Sequence, residues 1–328
     1  MKARTRLKLV AVTAMAAPFF APGFTPIATA QTVGIGATTT AYTAQAASAI
    51  SKVVSEKAGM QMRVQPHGGS GAYVPQVNAG NLEFGLANEL ETFYAVTGTV
   101  IYDGRPQKNL RVATVLTPFA SALFVRKDSD IKTVQDLKGK RLPSGWASQK
   151  IIGVLMDGYL ASGGLSYADV QQVPVPNVVK GADDFAAGKT DAFFFALGAG
   201  KVRETDAQVG GIRVIGIDAS PGGVARMQKH VPVAVAGLYQ PSKVNVGVLE
   251  PTHVQQYDYL MLTNSKASDE IVYKVVKAMH DNKAMLAESF PALGRFSPDH
   301  MARKFKEGVE YHPGAIKYYT EIGQWPPK

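Results

Sequence analysis

Thr32-Val33-Gly34-Ile35-Gly36-Ala37-Thr38-Thr39-Thr40-Ala41-Tyr42-Thr43 decides the fold class, because it compresses a whole structural unit into a dozen residues. Thr32–Gly36 reads as a strand, and the glycines and threonines after it as a turn. Residues 43–57 then set Ala46, Ala47, Ile50, Val53 and Val54 on one helical stripe, with Ser48, Ser51 and Lys52 turned elsewhere. Strand, glycine- or serine-rich turn and helix is the grammar of an α/β protein whose strands lie in parallel sheets flanked by helices.

The unit recurs along the chain. Met60–Gln65 alternates as a strand and runs through His67–Gly71 into a short helix over Val74 and Val77, which Gly80 stops. Phe84–Ala87 is a buried strand ending at the polar pair Asn88-Glu89, and Leu110–Leu116 is another, followed by Pro118. At Ala122 the pattern restarts with Leu123-Phe124-Val125, which sets a lobe boundary: residues 31–118 and 258–328 form lobe 1, residues 119–257 lobe 2. In the second lobe the polar loop Ser144–Gln149 precedes a helix face of Ile151, Ile152, Leu155, Met156, Tyr159 and Leu160. Val170–Val175, Asp191–Ala196 and Ile212–Ile217 read as strands, a helix capped by Gly188 separating the first two. Phe193-Phe194-Phe195 lacks alternation, as a strand covered on both faces does. Leu260-Met261-Leu262 takes the chain back. Asp269–Leu286, a segment from Ser297-Pro298 and one from Pro313 read as closing helices.

Lys2, Arg4, Arg6 and Lys8 precede an apolar stretch from Leu9 to Ala17, and Ala28-Thr29-Ala30 offers a small-x-small cleavage site, the pattern of a secretory leader over residues 1–30. Export to the periplasm is the expectation. The chain has no cysteine, so disulfides, zinc-thiolate sites and a cysteine nucleophile are excluded. The formal charge of +9 includes the four basic residues of the leader; the rest are dispersed, without the basic run a nucleic-acid groove needs. His67, His230, His253, His280, His300 and His312 show no close metal-ligand spacing, and neither metal nor cofactor is expected.

Each strand–turn–helix junction presents unpaired amides at a helix start, an anion seat in waiting. Gly34-Ile35-Gly36 begins like a dinucleotide fingerprint but lacks the third glycine; the economical reading is that Thr38, Thr39 and Thr40 offer hydroxyls, with Tyr42 turned toward the same cleft. Gly68-Gly69-Ser70-Gly71-Ala72 nearly matches a hydrolase elbow, which makes an exported esterase using Ser70 an alternative. Binding of a ligand oxygen by Ser70 is the leading expectation. Trp146, in the Ser144–Gln149 loop, is expected to be exposed or half-exposed and to cover an apolar ligand body, with packing between the lobes as its other reading. Lys150 and Lys201 follow turns of the same kind.

Tyr311-His312-Pro313-Gly314-Ala315-Ile316-Lys317-Tyr318-Tyr319-Thr320-Glu321-Ile322-Gly323 resembles the closing signature of the TAXI-type solute receptors of TRAP transporters. The turn before Tyr42, Gly68-Gly69-Ser70, Asp136-Leu137-Lys138-Gly139-Lys140 and Gly188-Lys189-Thr190-Asp191-Ala192-Phe193-Phe194-Phe195 resemble that family in the same order. The resemblance implies a two-lobed periplasmic binding protein fold, type II-like, that captures a small organic anion between its lobes. It would deliver the anion to a TRAP membrane permease, acting as a monomer and not as an enzyme. A receptor serving an ABC importer for aromatic acids or sulfonates is the alternative within the same architecture. The contacts the ligand would meet are Thr38, Thr39, Tyr42, Ser70, Tyr73, Asn88, Ser144, Trp146, Ser148 and Gln149, with Tyr239 added because Gly237-Leu238-Tyr239 resembles the family's tyrosine-bearing cleft segment. Where family members have more glycine, this chain carries Thr38–Thr43 and Ser144-Gly145-Trp146-Ala147-Ser148-Gln149. A bulkier or aromatic carboxylate is therefore expected.

Overall fold

A computed structural model describes residues 31–39, 41–306 and 308–327. The leader over residues 1–30 and Thr40 lie outside the described residues. The first three units follow the pattern read above. They are β1 (Thr32–Thr38), α1 (Ala41–Lys57), β2 (Gln61–His67), α2 (Ser70–Ala79), β3 (Phe84–Asn88) and α3 (Glu89–Thr97). β1 lies between β2 and β3 and runs parallel to both. The α1 stripe of Ala46, Ala47, Ile50, Val53 and Val54 is buried. Gly80 ends α2 in the left-handed region at φ 84°, which glycine enters without strain.

The chain then crosses the molecule in β4 (Leu110–Arg126). The second set of units is β5 (Arg141–Gly145), α4 (Ile151–Ser162), β6 (Gln171–Val175), α5 (Val178–Ala186), β7 (Phe193–Ala196), α6 (Gly200–Val209), β8 (Ile212–Ile215), α7 (Pro221–Gln228) and β9 (Val235–Tyr239). β10 (Thr252–Asn264) crosses back, and α8 (Asp269–Asp281), α9 (Lys283–Ser289) and α10 (Pro313–Glu321) pack onto the first set. β4 and β10 pair antiparallel along their length. At one end β10 pairs with β3; at the other β4 pairs with β7 and β8, and β10 with β9. Two continuous strands thus tie the two sets of elements, with Pro118 opposite Asp258 and Phe119 opposite Tyr257 at their middle.

Several expectations are corrected here. The eight-stranded sheet is mixed, since both crossing strands are antiparallel to their neighbours, while β5 and β6 form a separate parallel pair. Leu110–Leu116 and Leu123–Val125 belong to one strand. Pro118 does not break it because β7 begins to pair only at Ser121, so the outer edge at the proline has no ladder to interrupt. Glu89 starts a helix instead of ending a strand, since the Asn88 side chain accepts the Glu91 N–H as an N-cap. The stretch around Gly237 forms β9. The helix read over Asp269–Leu286 divides at Asn282 into α8 and α9, and Ser297-Pro298 opens only the single turn Pro298–His300. Phe193, Phe194 and Phe195 are all at most 1% exposed, as their unbroken apolar run requires. Among the described residues no helix is long and apolar enough to cross a membrane.

Candidate ligand-binding cleft

Three adjoining cavities lie between the two sets of elements. The largest, about 540 Å³, is walled on one side by Gly68–Ala72 at the start of α2 and on the other by Ala147, Ser148, Lys150 and Ile151 at the start of α4. A central cavity of about 80 Å³ shares Ser70, Glu91 and Ile151 with it, and a third of about 260 Å³ shares Tyr42, Phe119, Phe195 and Ala196 with the central one. The cleft is shut at one point: a Cβ built on Gly69 would collide with the Ser148 carbonyl oxygen.

The helix ends facing the largest cavity differ from their neighbours. Asn88 caps α3 and Asn177 caps α5, each taking a first-turn amide. Gly69 and Lys150, at the N-termini of α2 and α4, supply no side-chain cap. A helix leaves its first amides without intrahelical partners, and its N-terminus carries a partial positive charge. Two such ends therefore face one space, with Lys150 and Arg105 exposed on its rim. Neither basic side chain has a carboxylate within 4.0 Å among the described residues.

The central cavity is largely aromatic. Tyr42 meets Phe119 edge-on at 4.9 Å and Tyr259 at 5.0 Å, and Phe119 meets Tyr257 at 5.7 Å. The Tyr42 hydroxyl shares a 2.8 Å hydrogen bond with Thr117 Oγ1, and burial pushes its pKa up to about 12. The Tyr259 hydroxyl has no hydrogen-bond partner among the described residues, and burial drives its pKa well up, so it stays a neutral donor. Glu91 is 1% exposed; it accepts hydrogen bonds from Ser70 Oγ at 2.7 Å and from the Tyr102 hydroxyl at 3.1 Å. Desolvation raises its pKa.

Of the residues expected at the site, Thr38, Tyr42, Ser70, Asn88 and Gln149 line the central cavity and Ser148 the largest one. Thr39, Tyr73, Ser144, Trp146 and Tyr239 line none of the three. Trp146 is not exposed: it is 1% accessible, donates Nε1–H to the Tyr167 hydroxyl at 2.9 Å and packs beside Gly153 and Gly181. Its loop turns inward at φ 50°, so the indole fills the interior beneath α4 and α5. Tyr73 is fully buried under Gly36 and Gly85, with its hydroxyl given to the Leu86 carbonyl. Ser144 is buried in β5, Thr39 faces solvent, and Tyr239 gives its hydroxyl to Gln256 at 3.0 Å. Lys201 lines the third cavity but is held by Asp183 and Glu204, both at 2.6 Å.

Sequence reading missed Glu91, Tyr102, Arg105, Phe119, Tyr257, Tyr259 and Arg295. Asn88-x-x-Glu91 carries the spacing of a capped helix start, and Tyr257-Asp258-Tyr259 the period-two spacing that puts both rings on one strand face. No local signal marks the others. Among the described residues no group of three His, Asp or Glu side chains is placed to hold a metal ion.

This fold is similar to solved structures of binding proteins. PhnD1 from Prochlorococcus marinus (MIT 9301), in complex with methylphosphonate, matches over 90% of this chain and 99% of that one at 11% identity and a TM-score of 0.57. The alkanesulfonate-binding protein SsuA from Xanthomonas axonopodis pv. citri, bound to MOPS, matches over 90% and 93% at 15% identity and a TM-score of 0.51. A binding protein component of an ABC phosphonate transporter from Pseudomonas aeruginosa matches over 82% and 80% at 11% identity and a TM-score of 0.52. The architecture is that of the two-lobed periplasmic binding proteins, with β4 and β10 as the strands that run between the two sets of elements. The model of the NMT1-like family matches residues 27–323, and the chain belongs to that family.

Proposed function

We propose that the chain is an exported solute-binding protein that closes on a small organic anion and hands it to a membrane permease. One observation carries this reading: the uncapped N-termini of α2 and α4 face each other across a cleft shut at Gly69 and Ser148. Each end brings roughly half a unit of positive charge, although at α4 the Ile152 and Gly153 amides are already given to the Gln149 and Lys150 carbonyls. An anion between them would touch both sides at once and so favour the closed state. The lobe boundaries at 118/119 and 257/258 are part of the proposal, with closure bending β4 and β10 near Pro118 and Asp258.

The expected bulky aromatic carboxylate loses its main support with Trp146 in the interior. The central cavity of about 80 Å³ holds only a small group beside the roomier cavity of about 540 Å³ at the helix starts, and the aromatic rings around it suit a short apolar body. Phosphonate and sulfonate, the anions in the similar structures, present several oxygens to amides as a carboxylate does, and all three classes are candidates. The phosphonate transporter component among those structures favours an ABC importer as the partner; the TAXI-type resemblance of Tyr311–Gly323 favours a TRAP permease. An ATPase gene beside the permease genes would decide for the first, a fused permease gene for the second. The esterase alternative is weakened because Ser70 Oγ donates to Glu91 and has no histidine partner among the described residues.

Thermal-shift screening of the leaderless protein against small carboxylates, sulfonates and phosphonates tests the reading. A binder should raise the melting temperature with concentration and contract the protein in solution scattering. A folded protein that responds to no anion would end it.

A further inference from the structure

Glu91 stands in the wrong place for a protein that binds a simple anion. It is 1% exposed and borders both the largest and the central cavity, so a bound solute meets it from either. No basic side chain lies within 4.0 Å of its carboxylate among the described residues. Each carboxylate oxygen accepts a hydroxyl, Oε2 from Ser70 and Oε1 from Tyr102, and the residue sits in the first turn of α3, where the helix favours negative charge. Both features favour an ionised acceptor, against the desolvation that raises its pKa. A buried carboxylate without a cation is costly.

We propose that the solute carries a protonated amine beside its anionic group, and that this ammonium pairs with Glu91 while the anion sits at the N-termini of α2 and α4. Ser70 serves both ends: its backbone opens the α2 anion seat and its hydroxyl holds the carboxylate. The substrate class is then a short zwitterion, such as an aminoalkyl sulfonate, phosphonate or carboxylate. Glu91 sets specificity by leaving its charge unmet when the amine is absent. This rests on the anion-binding reading above.

Calorimetry on matched pairs tests it: 2-aminoethanesulfonate against ethanesulfonate, 2-aminoethylphosphonate against ethylphosphonate, and β-alanine against propionate. In the wild-type protein at least one amine-bearing member should bind about 10-fold or more tighter than its partner, and Glu91→Gln should bring the two to within about 3-fold. The wild-type comparison needs no variant, so it stands even if the substitution disturbs folding. Amine-free members binding as tightly as their partners would overturn the role of Glu91 and leave anion capture standing. A pair ratio unchanged in a folded Glu91→Gln protein would do the same, as expected if Glu91 were neutral and donated a hydrogen bond. Failure of every member, and of the wider anion panel, would overturn both readings.

Discussion

The Cα of Gly69 faces the carbonyl oxygen of Ser148 so closely that no side chain fits between α2 and the loop before α4. Gly69 has φ −172°, an extended conformation open to any residue, so its glycine is demanded by the approach of the opposite wall and not by its own backbone. Gly68, its neighbour, has open space around a built Cβ.

Gly69→Ala should therefore fold normally and fail to close. We expect anion affinity to fall at least about 10-fold, or ~1.4 kcal/mol, with the ligand-induced contraction in scattering lost. Gly68→Ala is the matched control and should bind as the wild type does. Equal affinity for both variants would show that the cleft tolerates a methyl group at its seam.

Arg295 donates to Asn245 Oδ1 at 3.1 Å and lies over the Tyr239 ring at 5.4 Å, which joins the segment after α9 to β9 and the loop that follows it. Arg295→Ala should loosen the closed state and weaken binding by about 3-fold, the worth of an exposed cation–π contact. Thermal stability without ligand should stay within about 0.5 kcal/mol, as for most surface substitutions. A stability loss equal to the loss in binding would make the contact structural instead of a latch.

Trp146→Phe separates a buried tryptophan from a ligand-covering one. The variant loses the hydrogen bond to Tyr167 and should cost about 1–2 kcal/mol in denaturant unfolding. Anion affinity should not change. A weaker affinity at unchanged stability would return the indole to the binding site.

His312 caps α10 by accepting the Gly314 N–H on Nδ1 at 3.1 Å, and its ring is 1% exposed. Desolvation is the largest of the effects that lower its pKa, against an opposing pull from Asp269. The folded protein thus holds His312 neutral where the unfolded chain, near pKa ~6.5, takes up a proton. The sign follows: the unfolded state binds more protons, so this stability is complete above that pH and is lost as pH falls toward the lowered folded value. His312→Asn keeps a capping acceptor and should flatten the fall in melting temperature between pH 7 and 5. His312→Ala should cost about 1 kcal/mol at pH 7.

The elements most legible from sequence were those whose evidence is local. The α1 stripe, the stop at Gly80 and the unbroken Phe193–Phe195 run each depend on residues within a few positions. β4 was read as two strands because Pro118 is a local breaker, and only its unpaired outer edge permits it. Trp146 was misread for the same kind of reason: a polar loop promises exposure, but two consecutive residues at positive φ, Gly145 and Trp146, turn the ring inward.

What the sequence by itself determined is the alternation of strands and helices, the absence of cysteine, and the turns that begin α1, α2 and α4. Periodicity and turn chemistry are set by near neighbours, so they can be read along the chain. Only the tertiary structure decided which helix starts face one another, that Gly69 meets Ser148 some eighty positions away, and that Glu91 stands without a cation in the cleft. Those relationships arise because β4 and β10 bring remote segments together, and no spacing along the chain encodes the charge or the space that results.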